Sequence, residues 1–411
     1  RDRHPGASDR RGGSIDPTVA LRNALNAMSA TAVRRAAPLR RIAESYFRRS
    51  SRLARVRSER AVHAAAPRTM RPAFRPHRVL LTGASGAIGG IIGPALLAAG
   101  IPVRVLVHRR RPTWIPPGSI VEERRGDVLV PSTLRGAVDG CDAVGHAAAR
   151  PGFGVLDRDR QRRINVEGTD AVLREAESSG ARLFVLVGYA GTVQERGDAE
   201  VIDEETPPQA EYDSAYVRMK MESEALTLES NRPGSFRTMV ASPGILFGAG
   251  LRSPLSELAR LYLRQELPYR LLESVWLALS GPREVGEGIV AAIEQGRGGH
   301  RYFLTGACVR MGGLYALLEE RSGIPAPRRR LPDLLVEELG LIAPLLPPHS
   351  FLRRLVLPRD LVLHLRRLAP LRNERTRAEL GIAPQPLEEL IDGLVREAGV
   401  LPRGGAFGAA G

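Results

Sequence analysis

Lysine is almost absent from this 411-residue chain: 60 residues are basic, and Lys220 is the single lysine among them. Cysteine is scarce too, with only Cys141 and Cys308. They stand far apart without spaced His, Cys or acidic partners, which argues against a disulfide framework or a cysteine-based zinc site and for a reduced, cytoplasmic protein with no metal. No run of eighteen apolar residues occurs, so no segment has the length of a membrane-spanning helix. Acids are scarce only at the start: residues 1–78 hold 19 Arg and 5 acidic residues, leaving 41 basic and 40 acidic groups in the remaining 333. The formal charge of +15 therefore lies almost wholly in that leader. The rest is near neutral, which argues against nucleic acid as a partner of the folded part.

Residues 1–77, rich in Arg, Ala and Ser, lack the apolar spacing of a core helix and are expected to be a basic, disordered extension. Organelle transit peptides and nucleic-acid-binding arms share that composition. Met70, eight residues before the first strand, favours a dispensable extension over residues 1–69. A flexible tail is expected over 404–411. Between these ends, 43% hydrophobic content over a long chain suits two structural units, residues 78–250 and 251–403.

The first unit alternates short apolar runs with helical segments, the pattern of a doubly wound parallel sheet. "RVLLTGASGAIGGIIGPALLAAG" opens it: Val79–Leu81 suit a buried strand, and Gly83, Gly86 and Gly89 follow at three-residue spacing before a helix that stops at Gly100. Glycines there let backbone amides approach a pyrophosphate at a helix N-terminus. The second strand, "IPVRVLV", ends in His108, Arg109, Arg110 and Arg111 where an NAD site usually carries an acid. Guanidinium groups there favour the 2′-phosphate of NADP over NAD. Asp127 and Val128 follow the third strand. "CDAVGHAAAR" is a fourth strand ending in small residues such as Ala147 and Ala148, which leave room for a cofactor. A long helix then carries Asn165 in its first part, and "ARLFVLVGYAGTV" is the fifth strand with its exit loop.

Tyr216 and Lys220 lie four apart in a segment of good helix formers, which places them on one face. An ammonium beside a phenol favours the phenolate and is expected to lower the Tyr216 pKa toward the range of a general acid or base. From residue 251 the chain turns to Leu- and Arg-rich amphipathic segments. These suit a mostly helical substrate region, with about 281–306 returning to the core, and are also compatible with an interfacial membrane helix.

Together "TGASGAIG", "GDV", "HAAA", "NVEGT", "YVRMK", "SPGILFG" and "RTRAELGIAPQPLEELI" resemble the extended short-chain dehydrogenase/reductase family, over about 78–398. That group includes NAD-dependent epimerase/dehydratases, dihydroflavonol reductases and 3β-hydroxysteroid dehydrogenases. The resemblance implies a Rossmann-type α/β fold and a smaller substrate domain. It also implies an NADP- or NAD-dependent oxidoreductase acting on a carbonyl or hydroxyl of a small, apolar substrate. A nucleotide-sugar epimerase or dehydratase, and a non-catalytic NAD(P)-binding redox sensor, are the alternatives. By matching position, Gly83, Ser85, Gly86, Ala87, Ile88 and Gly89 would hold the pyrophosphate and Asp127 the adenine. Tyr216 and Lys220 would move the proton, with Lys220 also reaching the ribose, and Pro243 and Gly244 would lie by the nicotinamide. Homodimers through a helix pair are common in the family. The chain departs from it at Gly188-Tyr189, where a Ser-Ser or Thr-Ser pair is usual. Tyr189 or Thr192 is then expected to supply the missing hydrogen bond. Ser242 also replaces the Arg common before Pro-Gly.

Overall fold

The computed structural model describes residues 74–193, 202–208, 214–341 and 356–400, all within the unit Met70–Gly411. The basic leader through residue 73 and the tail from 401 lie outside the described residues.

Elements follow the sequence pattern. β1 (Val79–Thr82), α1 (Gly89–Ala98), β2 (Val103–Val107), β3 (Glu122–Arg125) and β4 (Ala143–His146) come first. Next are α2 (Arg158–Arg162), a π-helical turn (Arg163–Glu167), α3 (Gly168–Ser178), β5 (Leu183–Val187), α4 (Ala215–Glu229) and β6 (Arg237–Pro243). The latter part holds β7 (Ile245–Leu246), α5 (Pro254–Leu263), β8 (Trp276–Ser280), α6 (Pro282–Gln295), β9 (Arg301–Leu304) and β10 (Cys308–Arg310). It ends with α7 (Met311–Ser322), α8 (Asp333–Leu339), α9 (Arg359–Leu365), α10 (Glu374–Leu380) and α11 (Leu387–Glu397).

Seven strands form one parallel sheet in the order β3-β2-β1-β4-β5-β6-β9. The run Leu183–Val187 is buried at every position, as a strand covered by helices on both faces must be. Two apolar clusters fill the layers above and below: Val79, Val105, Val185 and Ile289 on one face, Leu80, Val144, Phe184 and Val240 on the other. The chain reverses direction across the sheet between β1 and β4, which opens a crevice at their carboxyl ends, the place where such sheets bind ligands. β9 joins the sheet beside β6, in register Val240↔Arg301. A second sheet, β10-β8-β7, packs with α5, α7 and α11 around Phe247, Tyr262 and Tyr315. Among the described residues no helix is long and apolar enough to cross a membrane, and no group of His, Cys or acidic side chains could hold a metal.

Candidate active site

β1 ends at Thr82 and the chain turns at Gly83, whose φ of +67° suits glycine. A Cβ there would lie 2.5 Å from the backbone of Ala147 and Ala148, and one on Gly89 would lie 2.2 Å from the Gly83 carbonyl oxygen. The outer two glycines thus press the loop against β4 and seat α1. Ser85, Gly86 and Ala87 between them are exposed, and Ile88 is half-buried. The N-terminus of α1 carries no side-chain cap, and its first turn holds no acid. Its leading amides are therefore suited to an anion such as a diphosphate. Trp114, in the segment after β2, braces this loop: its Nε1 donates to the Ala84 carbonyl at 2.8 Å. A Cβ on Gly93 would come within 2.1 Å of the Trp114 ring, so the helix is notched to receive it. No sequence motif marks that tryptophan.

At the next strand ends, His108 Nε2 lies 3.1 Å from Asp127 Oδ2, and Asp127 Oδ1 accepts from the Leu129 amide at 2.9 Å. Val128 packs where a Cβ on Gly168 would come within 2.8 Å of it. Arg111 is paired with Glu123, whereas Arg109 and Arg110 are exposed and hold no ion-pair partner among the described residues. The amides of Ala147 and Ala148 donate to the carbonyl and hydroxyl of Thr82, both at 3.3 Å. Asn165 sits in the π-helical turn. Its amide oxygen accepts from Arg150 N at 2.7 Å and its nitrogen donates to Arg150 O at 3.1 Å, so it fixes the loop leaving β4 with both ends of its side chain. Buried His146 lies 2.8 Å from Thr82 Oγ1 and 3.1 Å from Thr169 Oγ1, and burial with the nearby Lys220 charge lowers it to about 3. Gly244 follows Pro243 at the end of β6. Its amide donates to Ser280 at 2.8 Å, and a Cβ would meet the Ala278 carbonyl at 2.2 Å.

α4 starts at Ser214, whose hydroxyl caps the Val217 amide. Tyr216 and Lys220 follow one helical turn apart. Lys220 is buried and donates from Nζ to the Val187 carbonyl at 2.9 Å. Burial lowers it to about 8, opposed by Glu224 one turn further on. Glu224 is in turn ion-paired with Arg301 of β9 at 2.6 Å.

The Tyr216 phenol departs from expectation. Desolvation raises it to about 12 instead of the ammonium lowering it: Lys220 is directed at the Val187 carbonyl, and aromatic rings flank the half-buried phenol. Phe153 meets its ring edge-on at 5.2 Å and Tyr189 lies at 6.2 Å.

Of the two expected substitutes for serine, Thr192 is fully buried, its hydroxyl held between the Tyr189 carbonyl at 3.1 Å and Glu224 at 3.5 Å. Tyr189 lies beside Tyr216, with its Oη 2.8 Å from Nε2 of His364 on α9. Sequence reasoning missed both Phe153 and His364; the one available signal was a lone histidine within the apolar run "LVLHL". Gly188 has its own cause. A Cβ there would lie 2.3 Å from Ser242 Oγ on the neighbouring strand, so the two departures from the family pattern occupy one space.

An uncapped glycine-loop helix, a doubly wound sheet and a Tyr–Lys pair at its carboxyl edge define a nicotinamide-dependent enzyme of the Rossmann type. Residues 80–274 match the 3-beta hydroxysteroid dehydrogenase/isomerase family. The chain is 31% identical over 260 residues to a 4-hydroxy-2-methyl-3-oxo-4-farnesyl-3,4-dihydroquinoline-1-oxide ketoreductase of Stigmatella aurantiaca, covering 62% of this chain and 76% of that one. It is 29% identical to sterol demethylase protein B of Methylococcus capsulatus, covering 74% and 93%. Among solved structures, gox2253 superposes with a TM-score of 0.64 at 23% identity, over 79% of this chain and 99% of that one. A UDP-glucose 4-epimerase of Thermotoga maritima does so with 0.62 at 16%, over 78% and 97%, a likeness of fold. The chain belongs to the extended short-chain dehydrogenase/reductase family, and it is an NAD(P)-dependent oxidoreductase.

Proposed function

We propose that the protein is a carbonyl reductase of apolar substrates that uses NADPH, with Tyr216 as proton donor. The observation that carries this reading is the Tyr216 phenol, one helical turn from buried Lys220 and walled by Phe153 and Tyr189. When bound, the nicotinamide supplies the hydride. Tyr216 gives its proton to the carbonyl oxygen, and a phenol raised to about 12 still carries that proton at neutral pH. Lys220 lies one helical turn away, its ammonium held by the Val187 carbonyl. The aromatic side chains of Phe153 and Tyr189 beside Tyr216 favour an uncharged, apolar ketone. Several relatives carry reductase names, among them the ketoreductase and a 2-alkyl-3-oxoalkanoate reductase of Shewanella oneidensis. For the cofactor, the exposed Arg109 and Arg110 beyond β2, without an ion-pair partner among the described residues, support a 2′-phosphate.

The test follows nicotinamide absorbance with purified protein and a panel of apolar ketones. NADPH should be consumed faster than NADH. Tyr216→Phe should lower kcat by about 100- to 10,000-fold with cofactor Kd unchanged. Substrate conversion without net change in cofactor would instead indicate an epimerase. Wild-type binding of cofactor with no conversion of any substrate would leave a redox sensor.

A further inference from the structure

Most of the aromatic cage comes from early in the chain, but His364 arrives from α9, 175 residues after Tyr189. Several features hold it there. Its imidazole is buried and stacks on Phe153 at 5.2 Å, the ring that also meets Tyr216. The loop carrying Phe153 docks on the start of α9: the Gly154 amide donates to Asp360 at 3.0 Å, and a Cβ on Gly154 would lie 2.7 Å from Pro358. On the other side Gly191 makes room for the Tyr189 ring, since a Cβ there would lie 2.7 Å from the phenol oxygen. Three separate segments therefore fit around one phenol–imidazole contact.

We propose that Tyr189 and His364 form a hydrogen-bonded pair that supplies the second hydrogen bond to the substrate oxygen, His364 acting as the positioning residue for the Tyr189 hydroxyl. The inference rests on the reading of Tyr216 as proton donor. A carbonyl oxygen gaining negative charge needs donors beyond the group that protonates it. In the imidazole tautomer protonated on Nε2, His364 donates to the Tyr189 oxygen and orients the phenol so that its own hydrogen points at the substrate. Burial keeps the imidazole neutral, lowering it to about 3. It therefore brings no extra positive charge into the apolar cage. No proton is transferred between the two side chains. The pair orients a dipole, and the proton that ends on the product comes from Tyr216.

The test is a double-mutant cycle in the full-length enzyme with NADPH and a ketone that the wild type reduces. Tyr189→Phe should lower kcat about 100- to 1,000-fold, the range for losing one such donor, with cofactor Kd unchanged. His364→Phe, which keeps the stack on Phe153 but has no ring nitrogen, should lower kcat in the same way. His364→Gln, whose side-chain amide retains an N–H, should restore part of it. The double variant Tyr189→Phe/His364→Phe should be no slower than Tyr189→Phe alone, because His364 acts only through that hydroxyl. A double variant slowed by the product of the two single effects, or a Tyr189→Phe enzyme with normal kcat, would overturn the pair. If Tyr216→Phe abolishes turnover while Tyr189→Phe does not, the proton-donor reading stands and only this inference falls; a fully active Tyr216→Phe enzyme removes both.

Discussion

Lys220 is buried against the Val187 carbonyl with its charge only partly balanced by Glu224, which already shares Arg301. Arginine is planar, bulkier and permanently charged, so it cannot take this place as a compact ammonium does. The lowered pKa also has a thermodynamic consequence whose sign follows from proton binding. Between about 8 in the folded protein and the ordinary 10.5, the unfolded chain holds the proton and the folded chain does not. Stability should therefore rise with pH across that window, by up to roughly 1.4 kcal/mol per unit. Lys220→Met should abolish this rise and cut kcat, as urea unfolding and NADPH turnover at several alkaline pH values would reveal. The importance of position 220 was visible in composition alone, as the one lysine in an arginine-rich chain four residues after Tyr216. What composition could not convey was its direction, because a carbonyl at the end of a strand 33 residues earlier is its acceptor.

The strands and the glycine loop were legible because their causes are local. A fully apolar run such as Leu183–Val187 has no stable place except inside a sheet, and a turn at φ +67° suits glycine. Less local features were hidden. The helix containing Asn165 starts at Arg158 and passes through a π-helical turn, and no residue in "RINVE" signals it. Gly188 had read as a lost serine, yet β5 and β6 are adjacent and Ser242 Oγ fills the space a side chain would need. Restoring the family residue with Gly188→Ser should thus destabilise the protein, by about 1–3 kcal/mol for overpacking a sheet interior. Adding Ser242→Gly should recover part of that loss. Chemical denaturation of the two single variants and the double variant measures the coupling, and simple additivity would mean that the two positions do not share the space.

At the scale of the whole molecule, the second half of the chain completes the first. β9 extends the parallel sheet beyond β6, and its first residue, Arg301, reaches back to pair with Glu224 on the helix that bears Tyr216 and Lys220. Both partners are buried, so Arg301→Ala would remove the guanidinium paired with this carboxylate and leave it only Thr192 and the nearby Lys220 charge. The expected loss is about 3–5 kcal/mol, read from the denaturation midpoint, with a lower kcat in whatever folds. The same long-range closure carries α9 and His364 to Tyr189. By itself the sequence determined the sheet, the glycine loop and the Tyr216–Lys220 pair, because backbone conformation and helical spacing act over a few residues. Only the tertiary structure decided the environment of that pair: the apolar wall that raises the phenol, the partner of Lys220 and the histidine beside Tyr189. Burial and hydrogen bonding depend on which distant segments pack together, and no local pattern encodes that choice.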